Sequence, residues 1–348
     1  MYQYSTNFSF IEGLVVFTLS EMAKSNAKVL VICSAYNQEK YIADALKGFV
    51  SQKTTFPFLV LVHDDASTDS TASIIKGFES HYPEMIRGIY ETENQYQQGR
   101  YFWYLPFLRK SGAKYLALCE GDDYWTDSNK LQRQYEILEK DSDGVFCFSN
   151  AEKIDASTGR SLGQMMPSTS WEKSILDKEG PLSADDVIRL NFIPTASFFA
   201  RIDAWLQEPK LPDSAFGGDR AHQLFLAIRG NSYYIDSPTV VYRIATSGSM
   251  MASWQSSKAS QIKSIKKYIS LYEFFDEYTH GRYRNALSPS WNDRKLSLMF
   301  ATANSALMKR SDAIAAAKCR GSKYELLTRL FFVAPSLVKK LWERRFSS

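Results

Sequence analysis

Hydrophobic positions in the first 150 residues alternate between two rhythms. Lys28-Val-Leu-Val-Ile-Cys-Ser-Ala35, Phe58 to Val62, Ile86 to Tyr90 and Tyr115 to Cys119 are short, largely apolar runs, which read as buried strands of a parallel sheet. Between them, apolar residues recur at helical spacing. Ile42, Leu46, Phe49 and Val50 mark a helix through about Gln52, and Ile74, Ile75 and Phe78 follow a cap at Asp69 or Ser70. Gly99 to Lys110 reads as a helix that Pro106 kinks or restarts, and Leu131, Tyr135 and Leu138 lie on one capped by Asp127 or Ser128. Strand and helix in alternation predict an α/β fold with a doubly wound, mostly parallel sheet.

The second half is less regular. Val145 to Phe148 predicts another strand, and residues 151–182 an ordered excursion without clear period. Ser183-Ala-Asp-Asp186 opens a helix as a capping box, and Phe192 to Ala200, with Pro194 inside it, reads as a strand. Phe216-Gly-Gly-Asp-Arg-Ala-His222 leads into a helix carrying Leu224, Phe225 and Ile228 and stopped by Gly230. Strands at Tyr233–Ile235 and Val240–Tyr242 end at Arg243, and Ala245–Ser257, rich in Ser, Gly and Met, reads as a mobile loop. Only helices are expected from Lys258 onward. The chain thus divides into an extension over 1–27, an α/β domain over 28–257 and a helical region over 258–348. The extension carries an apolar helix at Phe10–Leu19, and Met22 offers a second start of translation just ahead of the first strand.

Three strand ends carry polar clusters: Ser34–Glu39, Asp64–Asp69 and Glu120–Asp123. In an open α/β sheet these ends converge on one edge, where ligands bind. Glu120, Asp122 and Asp123 are the densest of them. Two unit charges ~4 Å apart repel by about 4 kcal/mol at an effective dielectric near 20, so such a group calls for a cation. Hard carboxylate oxygens suit Mg²⁺ or Mn²⁺, which commonly bind substrate phosphates as well. A solvated turn and helix cap is the plainer reading of the same stretch.

Charge changes the picture of the tail. Residues 1–257 hold 24 Lys and Arg against 31 Asp and Glu, whereas 258–348 hold 18 against 7. A basic tail on an acidic body suggests contact with an anionic surface. Within it, Leu337, Val338, Leu341, Trp342 and Phe346 form one helical stripe beside Lys339, Lys340, Arg344 and Arg345, with Pro335 in the first turn. That pattern predicts a helix lying in a membrane interface through residues 322–348, or else a helix packed on the catalytic domain or making an oligomer contact. No uncharged run approaches the ~20 residues of a spanning helix. No basic region precedes the N-terminal apolar patch, so a secretory leader is not expected. The four cysteines, Cys33, Cys119, Cys147 and Cys319, are scattered, as suits free thiols in a reducing compartment. The expected location is cytoplasmic, at the inner face of the plasma membrane if the tail binds there.

Four short motifs together resemble a family of enzymes. Ser34-Ala-Tyr-Asn37, Asp64-Asp-Ala-Ser-Thr-Asp69, Glu120-Gly-Asp-Asp-Tyr-Trp125 and Gly218-Asp219 occur in the order and spacing of the family 2 glycosyltransferases. The resemblance covers roughly residues 28–245, and Gly-Asp-Asp-Tyr-Trp is frequent in members that build bacterial surface polysaccharides. It implies the GT-A fold with a C-terminal helical extension, a nucleotide-binding half over 28–150 and an acceptor half over 151–257. It also implies inverting transfer from a nucleotide-sugar donor, usually of UDP, to a glycan or lipid-linked acceptor. By the same resemblance Ser34, Tyr36, Asn37 and Asp65 bind the donor's base, and Glu120 and Asp122 its ribose and phosphates. Asp122 and Asp123 would hold Mn²⁺ or Mg²⁺, and Asp219 would act as catalytic base. Glu120 stands where the family pattern usually has Asp, and Gly218 where many relatives have Glu. Arg243 is expected either to reach the pyrophosphate or to pair with a surface acid, and His222 to face solvent.

Rival classes fit less well. No Gly-rich loop follows the first strand, as a sugar-nucleotide pyrophosphorylase or a dinucleotide enzyme would require. No recognised nucleic-acid module accompanies the basic tail. A non-catalytic nucleotide- or carbohydrate-binding subunit of a polysaccharide assembly complex is the alternative from another class.

Overall fold

The computed structural model describes residues 26–244, 246 and 257–343. The expected helix at Phe10–Leu19, the start at Met22, most of the loop over 245–257, and Arg344, Arg345 and Phe346 lie outside these residues. The chain forms two compact units. One is built from the described residues of Met1–Ala184, Phe192–Pro209 and Phe225–Ser247, the other from those of Asp185–Asn191, Lys210–Leu224 and Gly248–Ser348.

The first unit is organised by a nine-stranded sheet. Its strands are β1 (Val29–Ala35), β2 (Phe58–Asp64), β3 (Ile86–Tyr90), β4 (Tyr115–Leu118), β5 (Tyr124–Trp125), β6 (Gly144–Asp155), β7 (Ser161–Gln164), β8 (Phe199–Arg201) and β9 (Asn231–Ile244). The order is β3-β2-β1-β4-β8-β6-β9-β5, with β7 paired on β6. Strands β3, β2, β1 and β4 are mutually parallel. β8 runs antiparallel to both β4 and β6, and β6 and β9 pair in parallel. Helices α1 (Ile42–Val50), α2 (Thr71–His81), α3 (Leu105–Lys110) and α4 (Lys130–Lys140) follow β1, β2, β3 and β5. The core gathers Val29, Val31 and Val60 of the central strands with Leu46, Phe49, Leu131 and Leu138 of α1 and α4, all fully buried. Burial of one such side chain contributes about 1.5–3 kcal/mol.

Several elements differ from the sequence expectation. Helix α3 begins only at Leu105, because Pro106 sits in its first turn, where its missing N–H costs nothing. The residue before α4 is Asn129, not Asp127 or Ser128, and Asp127 instead accepts the Asn129 N–H at 2.8 Å. The excursion over 151–182 contains the rest of β6, its hairpin partner β7, and α5 (Ser170–Leu176). The expected strand at Phe192–Ala200 is mostly a 3₁₀ turn at Thr195–Ser197 and leaves only β8, followed by α7 (Ile202–Trp205), α6 being Ala184–Arg189. The two strands expected over 233–242 are one long irregular strand, β9.

The second unit is helical: α8 (Asp219–Ala227) opens in it, and α9 (Lys258–Tyr278), α10 (Arg284–Thr302), α11 (Arg310–Arg320), α12 (Ser322–Phe331) and α13 (Pro335–Glu343) make up the rest. Its core packs Leu296, Met299 and Phe300 of α10 with Ala313, Ala317, Phe331, Val338 and Trp342. The tail stripe is therefore divided. Val338 and Trp342 turn inward, while Leu337 and Leu341 remain exposed. Among the described residues no helix is long and apolar enough to cross a membrane.

Candidate active site

The ends of β1, β2 and β4 are bound together by the loops that leave them. Asp65 N–H donates to Ala35 O at 2.9 Å, and Gly121 N–H to Ser34 O at 3.0 Å. Asn37 takes a left-handed conformation (φ 51°), which its short polar side chain tolerates. Its N–H donates to Ser67 Oγ at 2.9 Å, and its Oδ1 accepts from Thr68 N–H at 2.8 Å. Gln38 N–H reaches Thr71 Oγ1 at 2.8 Å, while Glu39 and Ser70 tie the loops again through Asp69 and Glu39 side chains. Gly121 is closely approached here. A Cβ would stand 2.3 Å from Gln38 Oε1 and 2.8 Å from Ile42 Cδ1. Gly48 serves the same end, since a Cβ there would lie 2.8 Å from Trp125 O.

The carboxylates of the third loop differ in environment. Asp123 is 3% exposed, and its Oδ1 accepts the Arg243 N–H at 2.8 Å. Asp122 is half-buried, and its Oδ2 accepts from Thr246 Oγ1 at 2.9 Å. Glu120 is half-buried on the other side of Gly121. Burial raises the Asp122 carboxyl above the usual carboxylate range, against the pull of Thr246 and Arg243. Burial, then the charges of Asp122 and Glu120, push Asp123 up further. The Cys33 thiol behind them is likewise raised, by burial first and then by Glu120 and Asp122.

Arg243 is the cation nearest this group. The register Tyr124↔Val241 and Trp125↔Val240 brings the end of β9 past the loop. Its guanidinium donates to Asp122 O at 2.8 Å and to Asp44 Oδ2 at 2.6 Å, over the ring of Tyr124 at 4.5 Å. The side chain is 8% exposed. Of its two expected partners, the described residues supply the acid.

On the β2 side, both oxygens of buried Asp65 are engaged: Oδ1 accepts from Gln95 N–H at 2.6 Å and Oδ2 from Tyr96 N–H at 3.1 Å. Asp65 thereby fixes the segment after β3. Asp64 Oδ1 is buried without a hydrogen-bond partner among the described residues. Trp103 donates its Nε1–H to Ser34 Oγ at 3.0 Å and stacks on His63 at 4.5 Å, and His63 meets Glu91 at 3.2 Å. Tyr36, Tyr96 and Tyr101 are exposed. Trp103, Thr246, Asp44 and Glu91 were not singled out by sequence. Only the run Tyr101-Phe-Trp-Tyr104 carried a visible signal, as a dense aromatic patch beside a polar edge.

Asp219 belongs to the second unit, at the first position of α8. Arg220, next to it, is buried and donates to Ile188 O and Leu190 O at 2.7 and 2.5 Å, which fixes the start of the helix. Phe216 stacks on Tyr268 at 4.5 Å, and its N–H donates to Lys267 O at 3.0 Å. Arg294 lies over the Tyr268 ring at 4.4 Å, and burial followed by the Asp219 charge raises the Tyr268 phenol. His222 is 6% exposed, so the expected solvent-facing histidine is a buried one, carried inward on the packed side of α8.

Among the described residues no three His, Cys, Asp or Glu side chains are gathered to hold a metal ion by themselves. The donor chemistry nevertheless fits a divalent cation. Asp122 and Glu120 are hard oxygen ligands with raised local negative charge, and one or two carboxylates completed by substrate phosphates is the usual Mg²⁺ arrangement.

Solved structures share this architecture. S. aureus TarS in complex with UDP-GlcNAc aligns with TM-score 0.52 at 16% identity, over 92% of this chain and 91% of that one. The mannosyltransferase PcManGT from Pyrobaculum calidifontis, in complex with GDP-Man and Mn²⁺, aligns with TM-score 0.50 at 15% identity, over 94% of each. The fold is GT-A, with C-terminal helices. An uncharacterised Mycobacterium tuberculosis protein is 37% identical over 171 residues, 49% of this chain and 46% of that protein. The chain thus matches about half the length of this curated relative. Glycosyl transferase family 2, by its sequence model, matches residues 30–203, half of the chain, and the chain belongs to that family.

Proposed function

We propose that the chain is an inverting glycosyltransferase that moves a sugar from a nucleoside-diphosphate donor, UDP first among them, to a glycan or lipid-linked acceptor in cell-surface polysaccharide synthesis. The observation that carries this reading is the lacing of the β1, β2 and β4 loops into one edge with half-buried Asp122 and Glu120 on it. In the division we infer, residues 28–150 bind the nucleotide and 151–257 the acceptor. Asp65 contacts the base through the lone pairs its two backbone donors leave free, beside Ser34, Tyr36 and Asn37. Asp122 would hold Mn²⁺ or Mg²⁺, with Asp123 behind it, and the ion would neutralise the departing diphosphate. Mn²⁺ in the mannosyltransferase neighbour supports that assignment. Arg243 holds Asp122 and Asp123 in place. Asp219 takes the acceptor proton during attack. The enzyme would work in the cytoplasm, with its basic helical region in contact with the inner face of the plasma membrane.

Calorimetry of UDP, dTDP and GDP, with and without Mn²⁺, tests the donor half on wild type, Asp122→Asn and Asp123→Asn. Metal-dependent UDP binding that both variants lose is expected. Binding indifferent to metal and to both substitutions would remove the carboxylates from the site. Binding without turnover of any UDP-sugar would favour the non-catalytic subunit.

A further inference from the structure

The helical unit leaves an apolar ridge uncovered. Val333 is 80% exposed, Leu326 69% and Leu337 47%, the three most exposed large apolar side chains among the described residues, and Leu341 follows at 39%. Leu326 lies on α12, Val333 on the turn after it, and Leu337 and Leu341 one helical turn apart on α13. The other apolar side of the same helices is already used: Phe331, Val338 and Trp342 are in the core. None of the four belongs to the core of its own unit.

Its charge setting is one-sided. Residues 322–343 carry Lys323, Arg329, Lys339 and Lys340 against Glu325 and Glu343. Glu325 pairs with Arg329 at 2.7 Å and Glu343 with Lys258. Lys323, Lys339 and Lys340 form no ion pair among the described residues, although Lys339 and Lys340 stand near enough to help Lys258 lower the Glu343 carboxyl, and basic groups still outnumber acidic ones here. A second copy of the chain on this face, related by a two-fold axis, would set these lysines against their own counterparts. An anionic lipid surface would instead receive the leucines among its acyl chains and the lysines at its headgroups.

We propose that the face bearing Leu326, Val333, Leu337 and Leu341, flanked by Lys323, Lys339 and Lys340, docks on an anionic lipid bilayer. The proposal rests on the reading that the helical region meets the membrane, and it assigns that contact to side chains. Each lysine near the leaflet strengthens binding about fivefold, and the apolar side chains add to it by insertion.

The test is co-sedimentation of the full chain with vesicles of phosphatidylglycerol and phosphatidylcholine, and with phosphatidylcholine alone, at low and high salt. Two variants accompany it: Leu326→Ser with Val333→Ser and Leu337→Ser, and Lys339→Gln with Lys340→Gln. Far-ultraviolet circular dichroism and thermal unfolding of each check that the helical unit is kept. Expected are binding to anionic vesicles only, weakening with salt, a loss of at least about tenfold in the serine variant and about twentyfold in the glutamine variant. Wild type left in the supernatant with anionic vesicles would overturn both the surface and the membrane reading. Both variants binding like wild type would overturn the surface alone, since the membrane contact would then lie elsewhere. A dimer in light scattering that the serine variant breaks would show that a second copy covers the ridge.

Discussion

Ala66 sits in the Asp64-Asp-Ala-Ser-Thr-Asp69 loop at φ +62°. An L side chain in the left-handed region costs about 1–2 kcal/mol, while glycine costs about 0.5–1 kcal/mol in extra backbone entropy. Ala66→Gly is therefore expected to raise stability by about 0.5 kcal/mol. The denaturant midpoint should rise at unchanged slope, and a fall would mean that the Ala66 methyl makes contacts that outweigh the strain. Lys130 is unusual in another way. It is fully buried, donates to Gln134 Oε1 at 2.8 Å and lies over Trp125 at 4.2 Å, and the Asp127 charge acts on it without an ion pair. Burial lowers its ammonium to about 7. Its folded value lies below its unfolded one, so the unfolded chain binds the extra proton above pH 7, and folding gains stability as pH rises. The gain starts at about pH 7 and runs toward the ordinary lysine value of the unfolded chain, about 10.4, and pH 7 to about 8.5 is a convenient part of it. There wild type should gain on Lys130→Met by about 1 kcal/mol per pH unit in urea unfolding. A difference independent of pH would mean that Lys130 stays charged when folded.

At the scale of elements, the site depends on how closely α1 approaches the loop between β4 and β5. Gly121→Ala would drive a methyl against Gln38 and fully buried Ile42. A cost of about 1–3 kcal/mol in stability and weaker UDP binding are expected, measured by unfolding and calorimetry. Wild-type values in both would show that Gln38 and Ile42 can repack. This closeness also explains what the sequence could tell. Strands β1 to β4 and helices α1 and α2 were legible because each is a buried run or a periodic face whose signal is local. β3 matches its expected bounds, Ile86–Tyr90, residue for residue. The antiparallel β8 and the two-residue β5 were not legible. Their pairing is set by partners far away in the chain, Tyr124 with Val241 for β5 and Leu116 and Phe146 with Ala200 for β8, and neither run is long enough to show a period. The acids at the strand ends were visible as clusters. Their division of labour was not, since it lies in which oxygen meets which N–H: Asp123 turned in on Arg243, Asp65 holding Gln95 and Tyr96.

At the scale of the whole molecule, the residues proposed for donor and acceptor chemistry fall in different units. Ser34, Asn37, Asp65, Glu120, Asp122 and Arg243 belong to the sheet unit, and Asp219 to the helical one. The hydrogen bonds that hold the donor loops, Asn37 with Ser67 and Thr68, Asp65 with Gln95 and Asp123 with Arg243, all lie within the sheet unit. Removing the base should then separate binding from turnover. Asp219→Asn keeps the size of the side chain at the start of α8 while removing its charge and its capacity to take a proton. UDP affinity with Mn²⁺ is expected within about twofold of wild type, while release of UDP from a turned-over UDP-sugar falls by about 10²–10⁴-fold. Asp122→Asn should do the reverse, losing nucleotide affinity first. If Asp219→Asn loses UDP affinity in step with turnover, the aspartate serves the donor and another group must accept the proton. If it keeps both, Asp219 is not the base, and the proposed assignment of acceptor chemistry to the start of α8 fails with it.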